Sequence, residues 1–483
     1  MWSSGSHLKR VCAAATDGRT SNVRFIQSQL KALHQSILET RVEIVETISS
    51  DQFTTEVEAK LEFALAIGAV KQHYDTIDFD HAIAKEYRIA RGENNIERRV
   101  GHGVVLIKPT THTRFYSIIS AVACAIAAGN TFVVECDDIP IDALLYILFQ
   151  SMDWELYGLV QGSVTSHEIL STALVIDQTG AAMNLNCVKS IPTLPSIAVV
   201  ERTADVIKAA KEILSANLAF SGQSPHAPNL VIVNEWIKKE FIDTVLREDR
   251  NIDRELNFPH NRDPEWKKSL AEAQAKGEAT LVESHSVFIV DVKESSSPLI
   301  AQRGSGRCLT LLTVASLADA VLALSFIPKY LTAYHFAKPD AGKFLSQHID
   351  SHFSFINHIP VEILVGPALP LKQSSFSHSL RYTTEMLSRP RPEIIQPIEN
   401  SNINLEDLAN LGSSKLRLLE QKAANPLKGT GQGPGTAIGF FEQGIVVGAL
   451  FIVLPVISAV GYSTWVFTQK FILPNAPGIS WAF

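Results

Sequence analysis

Near the start of the chain, apolar residues recur at three- and four-residue steps: Val23, Ile26, Leu30, Leu33 and Ile37 share one face. This spacing predicts a single amphipathic helix over VRFIQSQLKALHQSILETRVEIVETI and a second helix over TTEVEAKLEFALAIGAVKQHYDTI. Between Arg98 and Val134 the period changes. GVVLI reads as a short buried strand, FYSIISAVACAIAAG as a mostly apolar helix, and TFVVE as another strand. Gly129-Asn130 predicts the C-terminal turn of that helix. Strand, helix, strand in this order is the repeating unit of a parallel sheet covered by helices.

The alternation continues with a helix over DALLYILFQSM, strands over ALVID and SIAVV, and a helix from Ala204 to Leu218. Beyond a small-residue loop come the strand NLVIV, helices KKEFIDTVL and PEWKKSLAEAQAKG, and strands SVFIVDV and CLTLLTV. The helix SLADAVLALSFI, the strand YLTAYHFA, then AGKFLSQHI and FSFINHI complete the pattern, and Pro-rich SRPRPEIIQP ends it. The fold class is α/β. No internal repeat is present. The loop AFSGQSPHAP, from Ala219, has the small residues of a turn that presents a reactive side chain, yet Pro225 in it carries neither thiol nor hydroxyl.

From Gln443 to Gln469 no residue is charged, and GIVVGALFIVLPVISAVGYSTWVFT is almost wholly apolar. About 20 apolar residues cross a bilayer core, so this run predicts a transmembrane helix. Pro455 is tolerable there, and Tyr462 and Trp465 lie near one end, where amphipathic rings favour the interface. The Gly/Pro-rich stretch NPLKGTGQGPGTA precedes it as a linker. Lys415, Arg417, Lys422 and Lys428 lie before the span and Lys470 after it. The positive-inside rule then sets the main domain in the cytosol, with a tail-anchored topology; the endoplasmic reticulum is the membrane expected from that anchor type.

Composition narrows the partners. The chain has 483 residues, 46% of them hydrophobic and 19% charged, with a net charge of −7, which is a globular balance. No long basic run exists, so nucleic acid is not an expected partner. Cys12, Cys124, Cys136, Cys187 and Cys308 are scattered without zinc-ligand spacing, and their odd number argues against a disulfide framework. The opening MWSSGSHLKRVCAAATDGRT has too short an apolar patch for a secretory signal. No metal site is read from His352 and His358, whose spacing does not suit a helix pair. The acidic ECDDIP cluster reads as a solvated turn, with a cation site as its alternative.

Three pieces, GVVLIKPTTHTRFYSIISAVACAIAAGNTFVVE, SGQSPHAPNLVIV and CLTLLTVASLADAVLAL, resemble the aldehyde dehydrogenase superfamily, and especially its membrane-anchored fatty aldehyde branch. The likeness runs from about Val23 to about Pro392 and includes the opening QSQLKALHQSILETRVEIVETISSD and the closing RYTTEMLSRPRP. It implies two parallel α/β domains, one of them NAD(P)-binding, plus a bridging arm that makes dimers. The expected division is a flexible N-terminus at 1–20, a degenerate dinucleotide-binding domain with N-terminal helices at 21–215, and a catalytic-type domain with the bridging segment at 216–390. A linker at 391–442, the membrane helix at 443–469 and a tail at 470–483 follow.

Family members attack an aldehyde with a cysteine thiolate, pass hydride to nicotinamide and hydrolyse the thioester with an activated water. The resemblance sets Pro225 at the nucleophile position of the Gly-Gln-x-Cys loop, where no covalent intermediate can form. It sets His112 where the oxyanion-binding Asn stands, and Ile191 where the general base stands. In the cofactor segment, Glu135-Cys136-Asp137-Asp138 replaces Lys-Pro-Ser-Glu; Asp138 retains an acceptor for a ribose hydroxyl, while Glu135 brings negative charge. Arg303 to Arg307 replace the Glu-x-Phe-Gly-Pro segment, Thr179-Gly180 keeps the Thr-Gly of the dinucleotide helix, and Leu185 replaces a following glycine.

These substitutions lead to an expectation of no cofactor, and of a repurposed or accessory role in lipid or secondary-metabolite biosynthesis. An apolar small molecule, the membrane, and a second copy or an active relative are the expected partners. An active NAD(P)-dependent aldehyde dehydrogenase of divergent mechanism, and a non-catalytic scaffold or dimer partner, are the alternatives. His112 is the candidate replacement acid/base, against a histidine satisfied by a backbone carbonyl. Ser224 and His226 form a second candidate pair, and Cys187 a displaced thiol, against ordinary core roles.

Overall fold

The computed structural model describes residues 3–51, 54–181, 186–251, 264–301, 307–371, 380–396, 414–429 and 439–468, with isolated positions at 405, 409, 431 and 470. The chain divides into two compact units, Met1–Pro397 and Ile398–Phe483. In the first, five helices lead: α1 (Gly5–Ala14), α2 (Val23–Glu39), α3 (Arg41–Ser49), α4 (Glu56–Asp75) and α5 (Phe79–Glu86). The flexible opening expected at 1–20 instead carries α1. Ser4 caps it by accepting the His7 N–H, and Val11 packs with Val104 and Leu106. The single long helix expected from Val23 is interrupted at Thr40 (φ −97°, ψ 17°), whose hydroxyl donates to the Ser36 carbonyl at 2.9 Å. A side chain that bonds back to the preceding turn bends a helix in this way.

A first sheet follows: β1 (Arg99–Gly101) precedes β2 (Val104–Lys108), α6 (Arg114–Ala127), β3 (Thr131–Cys136), α7 (Pro140–Phe149), β4 (Tyr157–Gln161), α8 (His167–Thr172), β5 (Leu174–Asp177) and β6 (Cys187–Lys189). Five of these strands run in the order β4-β3-β2-β5-β6, all parallel. Alternation along each strand separates its two faces. Val105, Ile107, Phe132 and Val134 meet α6 and α7, whereas Val104, Leu106 and Val133 meet α1 and α8. Helix α6 is buried from Arg114 to Ile126, between the sheet and α4.

The second sheet contains β7 (Ser196–Val200), then after α9 (Val206–Leu218) β8 (Leu230–Asn234), after α10 (Lys238–Arg250) and α11 (Pro264–Ala275) β9 (Ala279–Glu283) and β10 (Phe288–Val292), and after α12 (Pro298–Ala301) β11 (Cys308–Val314). Helix α13 (Leu317–Leu324), β12 (Tyr330–Phe336), α14 (Pro339–His348), β13 (Ser351–Ile356) and α15 (Val361–Leu364) complete it. The order is β13-β12-β7-β8-β11-β10-β9, parallel except at the β9 edge. A division at residue 215 would leave β7 in the first domain, but its pairing with β8 and β12 puts it inside the second sheet. SIAVV is buried at every position and needs a neighbour on each side; its composition does not say which sheet supplies them. Finally β14 (Ser388–Pro390) returns to pair antiparallel with β1, Val100 opposite Arg389.

The second unit holds α16 (Ser414–Ala423) and α17 (Phe440–Phe467). Helix α17 has 28 residues, with Pro455 within it, and an 18-residue stretch of it reaches a mean hydropathy of 2.5. At 1.5 Å per residue it spans roughly 40 Å, enough to cross a bilayer core. It is a candidate membrane anchor. Most of the expected tail at 470–483 lies outside the described residues.

Candidate functional site

Two strained turns meet where the helices touch the second sheet. Thr113 (φ 40°, ψ 57°) turns the chain from β2 into α6. After α9, Phe220 (φ 50°, ψ 37°), Ser221 (φ 53°, ψ 31°) and Gly222 (φ 72°) are all left-handed. A non-glycine residue in that region costs about 1–2 kcal/mol. Among the described residues the only other such position is Asn357. The His112 ring stands edge-on to Phe220, centroids 5.6 Å apart at 89°, so the strained residues belong to two segments in contact. Such strain persists only where surroundings over-determine it.

Helix α4 provides those surroundings. Glu58 Oε1 accepts the Phe220 N–H at 3.0 Å, while its other oxygen accepts the Thr55 N–H at 2.9 Å in a capping box. One turn later, Glu62 accepts the Tyr116 N–H at 3.1 Å in the first turn of α6. On the other side, Thr113 Oγ1 accepts the Gly366 N–H at 2.6 Å. Gly366 itself has φ 96°, and a Cβ there would lie 2.5 Å from the Tyr116 ring. Glycine is required by both counts.

Pro225 is buried, and its carbonyl accepts from Ser196 Oγ at 2.9 Å. The adjacent His226 has both ring nitrogens engaged. Leu369 N–H donates to Nε2 at 3.2 Å, so Nδ1 carries the proton and donates to Thr332 Oγ1 at 2.7 Å. Tyr334 also donates to the His226 carbonyl at 2.9 Å. Ser224 is buried, and its hydroxyl accepts the His226 main-chain N–H at 3.4 Å. This is the bonding of a core histidine and not of a base beside a nucleophile. His112 Nε2 lies 2.9 Å from the Leu364 carbonyl, which only accepts, so that nitrogen holds the proton.

At the C-terminal edge of the first sheet, Thr179 and Gly180 form a turn closed by Asp177. One Asp177 oxygen accepts the Thr179 N–H at 3.0 Å, its hydroxyl at 2.7 Å and the Gly180 N–H at 3.2 Å. The Thr179 and Gly180 main-chain donors are therefore both engaged by the Asp177 carboxylate. Gly180 (φ 82°) packs against the next segment, where a Cβ would come 3.2 Å from Pro192 and 3.8 Å from Ile191 Cα. Ile191 and Gly180 are thus brought together, and the neighbouring buried Ser190 hydroxyl finds no hydrogen-bond partner among the described residues. Glu135 pairs with Lys108 at 3.3 Å and accepts the Val164 N–H at 2.9 Å, so its charge is compensated within the protein. Asp138 is exposed in the turn before α7. Leu185 and residues 303–306 lie outside the described residues, and Arg307 donates to the Ser286 carbonyl at 2.7 Å.

Several residues of this region carry no pattern that marks them in the sequence. Gln178 donates to Tyr382 Oη at 3.0 Å and accepts the Thr110 N–H at 3.0 Å, joining the closing segment to the turn before α6. Arg381 is buried and donates to the carbonyls of Ile363 and Val365. Two of the buried thiols are the reverse of activated: burial pushes Cys136 up to about 12 and raises Cys124 well above the ordinary thiol range. Cys187 is buried in β6.

No protein-family model matches the chain. It is 24% identical over 369 residues to the dimeric NADP-preferring aldehyde dehydrogenase of Rattus norvegicus, covering 68% of this chain and 80% of that protein. It is 22% identical over 411 residues to 4,4'-diaponeurosporen-aldehyde dehydrogenase of Staphylococcus aureus, covering 75% and 86% respectively. The solved substrate-bound AldH of Staphylococcus aureus superposes with a TM-score of 0.65 at 17% identity, over 86% of this chain and 99% of that one. The chain has the aldehyde dehydrogenase fold, and over most of its length its sequence is similar to aldehyde dehydrogenases.

Proposed function

We propose that this is a membrane-tethered aldehyde dehydrogenase-like protein that does not run the thioester reaction, and that it serves as a repurposed or accessory protein in lipid or secondary-metabolite biosynthesis. The carrying observation is the loop around Pro225. A proline occupies the position of the attacking sulfur, and the imidazole beside it is bonded at both nitrogens to Thr332 and Leu369. A dinucleotide does not fit the residues present, because Asp177 occupies the turn donors and Glu135 stands where a lysine is expected. The relative whose name specifies a diaponeurosporen aldehyde supports a greasy ligand for this chain.

The test is reduction of NAD or NADP by full-length protein in detergent with medium- and long-chain aldehydes. The expected result is no reduced cofactor above the protein-free baseline, also for Pro225→Cys alone, since the base and cofactor contacts remain altered. Reduced cofactor from the unmodified protein would overturn the reading in favour of a divergent dehydrogenase. A second reading, a non-catalytic dimer partner of an active relative, is supported by the relative named as dimeric; co-purification with such a relative tests it. The cationic residues before α17, Lys415, Arg417, Lys422 and Lys428, support a cytosolic main domain. Protease digestion of sealed microsomes should then degrade the body and spare the anchor.

A further inference from the structure

A cleft of about 390 Å3 opens where α3, α4, the first turn of α6 and the start of α7 come together. Its walls include Ile48, Asp51, Glu62, Arg114, Phe115 and Ile141; Pro225, His226 and Thr179 do not line it. Arg114 reaches the cleft already neutralised. Its Nε and Nη2 donate to the two oxygens of Asp142 at 2.7 and 2.6 Å, and Nη1 meets Asp137 at 3.0 Å. One guanidinium facing two carboxylates leaves the surroundings negative before Asp51 and Glu62 are counted.

Glu62 is 2% exposed, and its carboxyl accepts main-chain N–H groups of Tyr116 and Phe115. The neighbouring charge acting on it is that of Asp51, not of a cation. An ionised carboxylate has about four lone-pair sites, so two N–H bonds leave accepting capacity at a group that walls the cleft. A buried charge with no counter-ion is unfavourable until something positive arrives.

We propose that this cleft binds a small organic cation, an ammonium group carried on a compact apolar body. The ammonium supplies up to three donors to Glu62 and Asp51, and the body lies against Ile48, Phe115 and Ile141. A carboxylate or phosphate would meet a net negative wall in which Arg114 is already bonded to Asp142 and Asp137, and a neutral ligand would leave the buried acid without a counter-ion. The charged groups around Glu62 are Asp51 from the α3–α4 connection, Glu58 one turn away on α4, Arg114 of α6, Asp137 from the β3–α7 connection and Asp142 of α7. Burial holds the Glu62 carboxyl up at about 7. Its ionised fraction, and with it the apparent affinity, should therefore rise about tenfold between about pH 6 and about pH 8.

The experiment titrates full-length protein in detergent with cyclohexylammonium, cyclohexanol and cyclohexanecarboxylate by calorimetry at those two pH values. Only the ammonium should bind, about tenfold more tightly at the higher pH. Ile141→Trp, which fills the cleft, should abolish binding, and Glu62→Gln should remove the pH dependence. If Glu62→Gln does not fold, Asp51→Asn provides the second check: it should weaken binding at both pH values while melting like the parent protein. Absence of ammonium binding, equal binding of the alcohol or the carboxylate, or binding unchanged by Ile141→Trp would overturn the proposal. Aldehyde turnover does not enter these readouts, so the two functional readings fail separately.

Discussion

His226 carries its proton on Nδ1 because the Leu369 N–H leaves Nε2 only an accepting role. Truncating it removes both ring bonds, leaves the Leu369 N–H without its acceptor in the interior and leaves the Thr332 hydroxyl with Tyr334 alone of these partners. His226→Ala should therefore destabilise the protein by roughly 2–4 kcal/mol, seen as a lower denaturation midpoint. A catalytic dyad predicts the opposite: little change in stability, with loss of an esterase activity shared by Ser224→Ala. The proposed loss of the nucleophile rests on the sequence itself, where Gly222-Gln223 stands just before Pro225 as in the loop it resembles. What engages His226 is not legible, since Thr332 and Leu369 lie 106 and 143 positions away. The same holds for Asp177, whose role depends on how the turn after β5 curls back over its carboxylate.

Helix α4 works as a strut whose two carboxylates, one turn apart, hold separate segments: Glu58 the strained Phe220 and Glu62 the first turn of α6. Glu58→Ala opens the capping box and leaves a buried N–H unpaired, at a cost of about 2–3 kcal/mol. Glu58→Gln keeps an acceptor and should cost about 1 kcal/mol or less. Comparing the two denaturation midpoints separates the hydrogen bond from the charge. Elements of this kind are readable where burial follows a period: α4, α6, β2, β3 and β8 all form where spacing places them. Helix α1 and the membership of β7 are not, because each is decided by a partner far away in the chain, and the interruption at Thr40 rests on a side-chain bond to Ser36 that apolar spacing does not record.

For the molecule as a whole, three buried groups shape the response to pH. Glu62 is raised to about 7 by burial, while burial lowers His73 and His335 to about 4. The native carboxyl holds its proton where the unfolded one has lost it, so its contribution falls as pH rises from about 4.3 to about 7. The histidines act in the other sense. The unfolded chain takes up protons below about 6.5 that the buried rings refuse, so stability falls as pH drops from there toward about 4. Two histidines outweigh one carboxyl, so stability should climb with pH from about 4.3 and level off near about 7, a tenfold difference in proton affinity between native and unfolded chain being worth about 1.4 kcal/mol. Melting across this range checks it, and Glu62→Gln should steepen the climb. The β1–β14 ribbon bears on biogenesis. Val100 meets Arg389, so the fold can close only after just over four-fifths of the chain has left the ribosome, and its last partner precedes the greasy segment from Phe440. A finished body can therefore await membrane delivery in water.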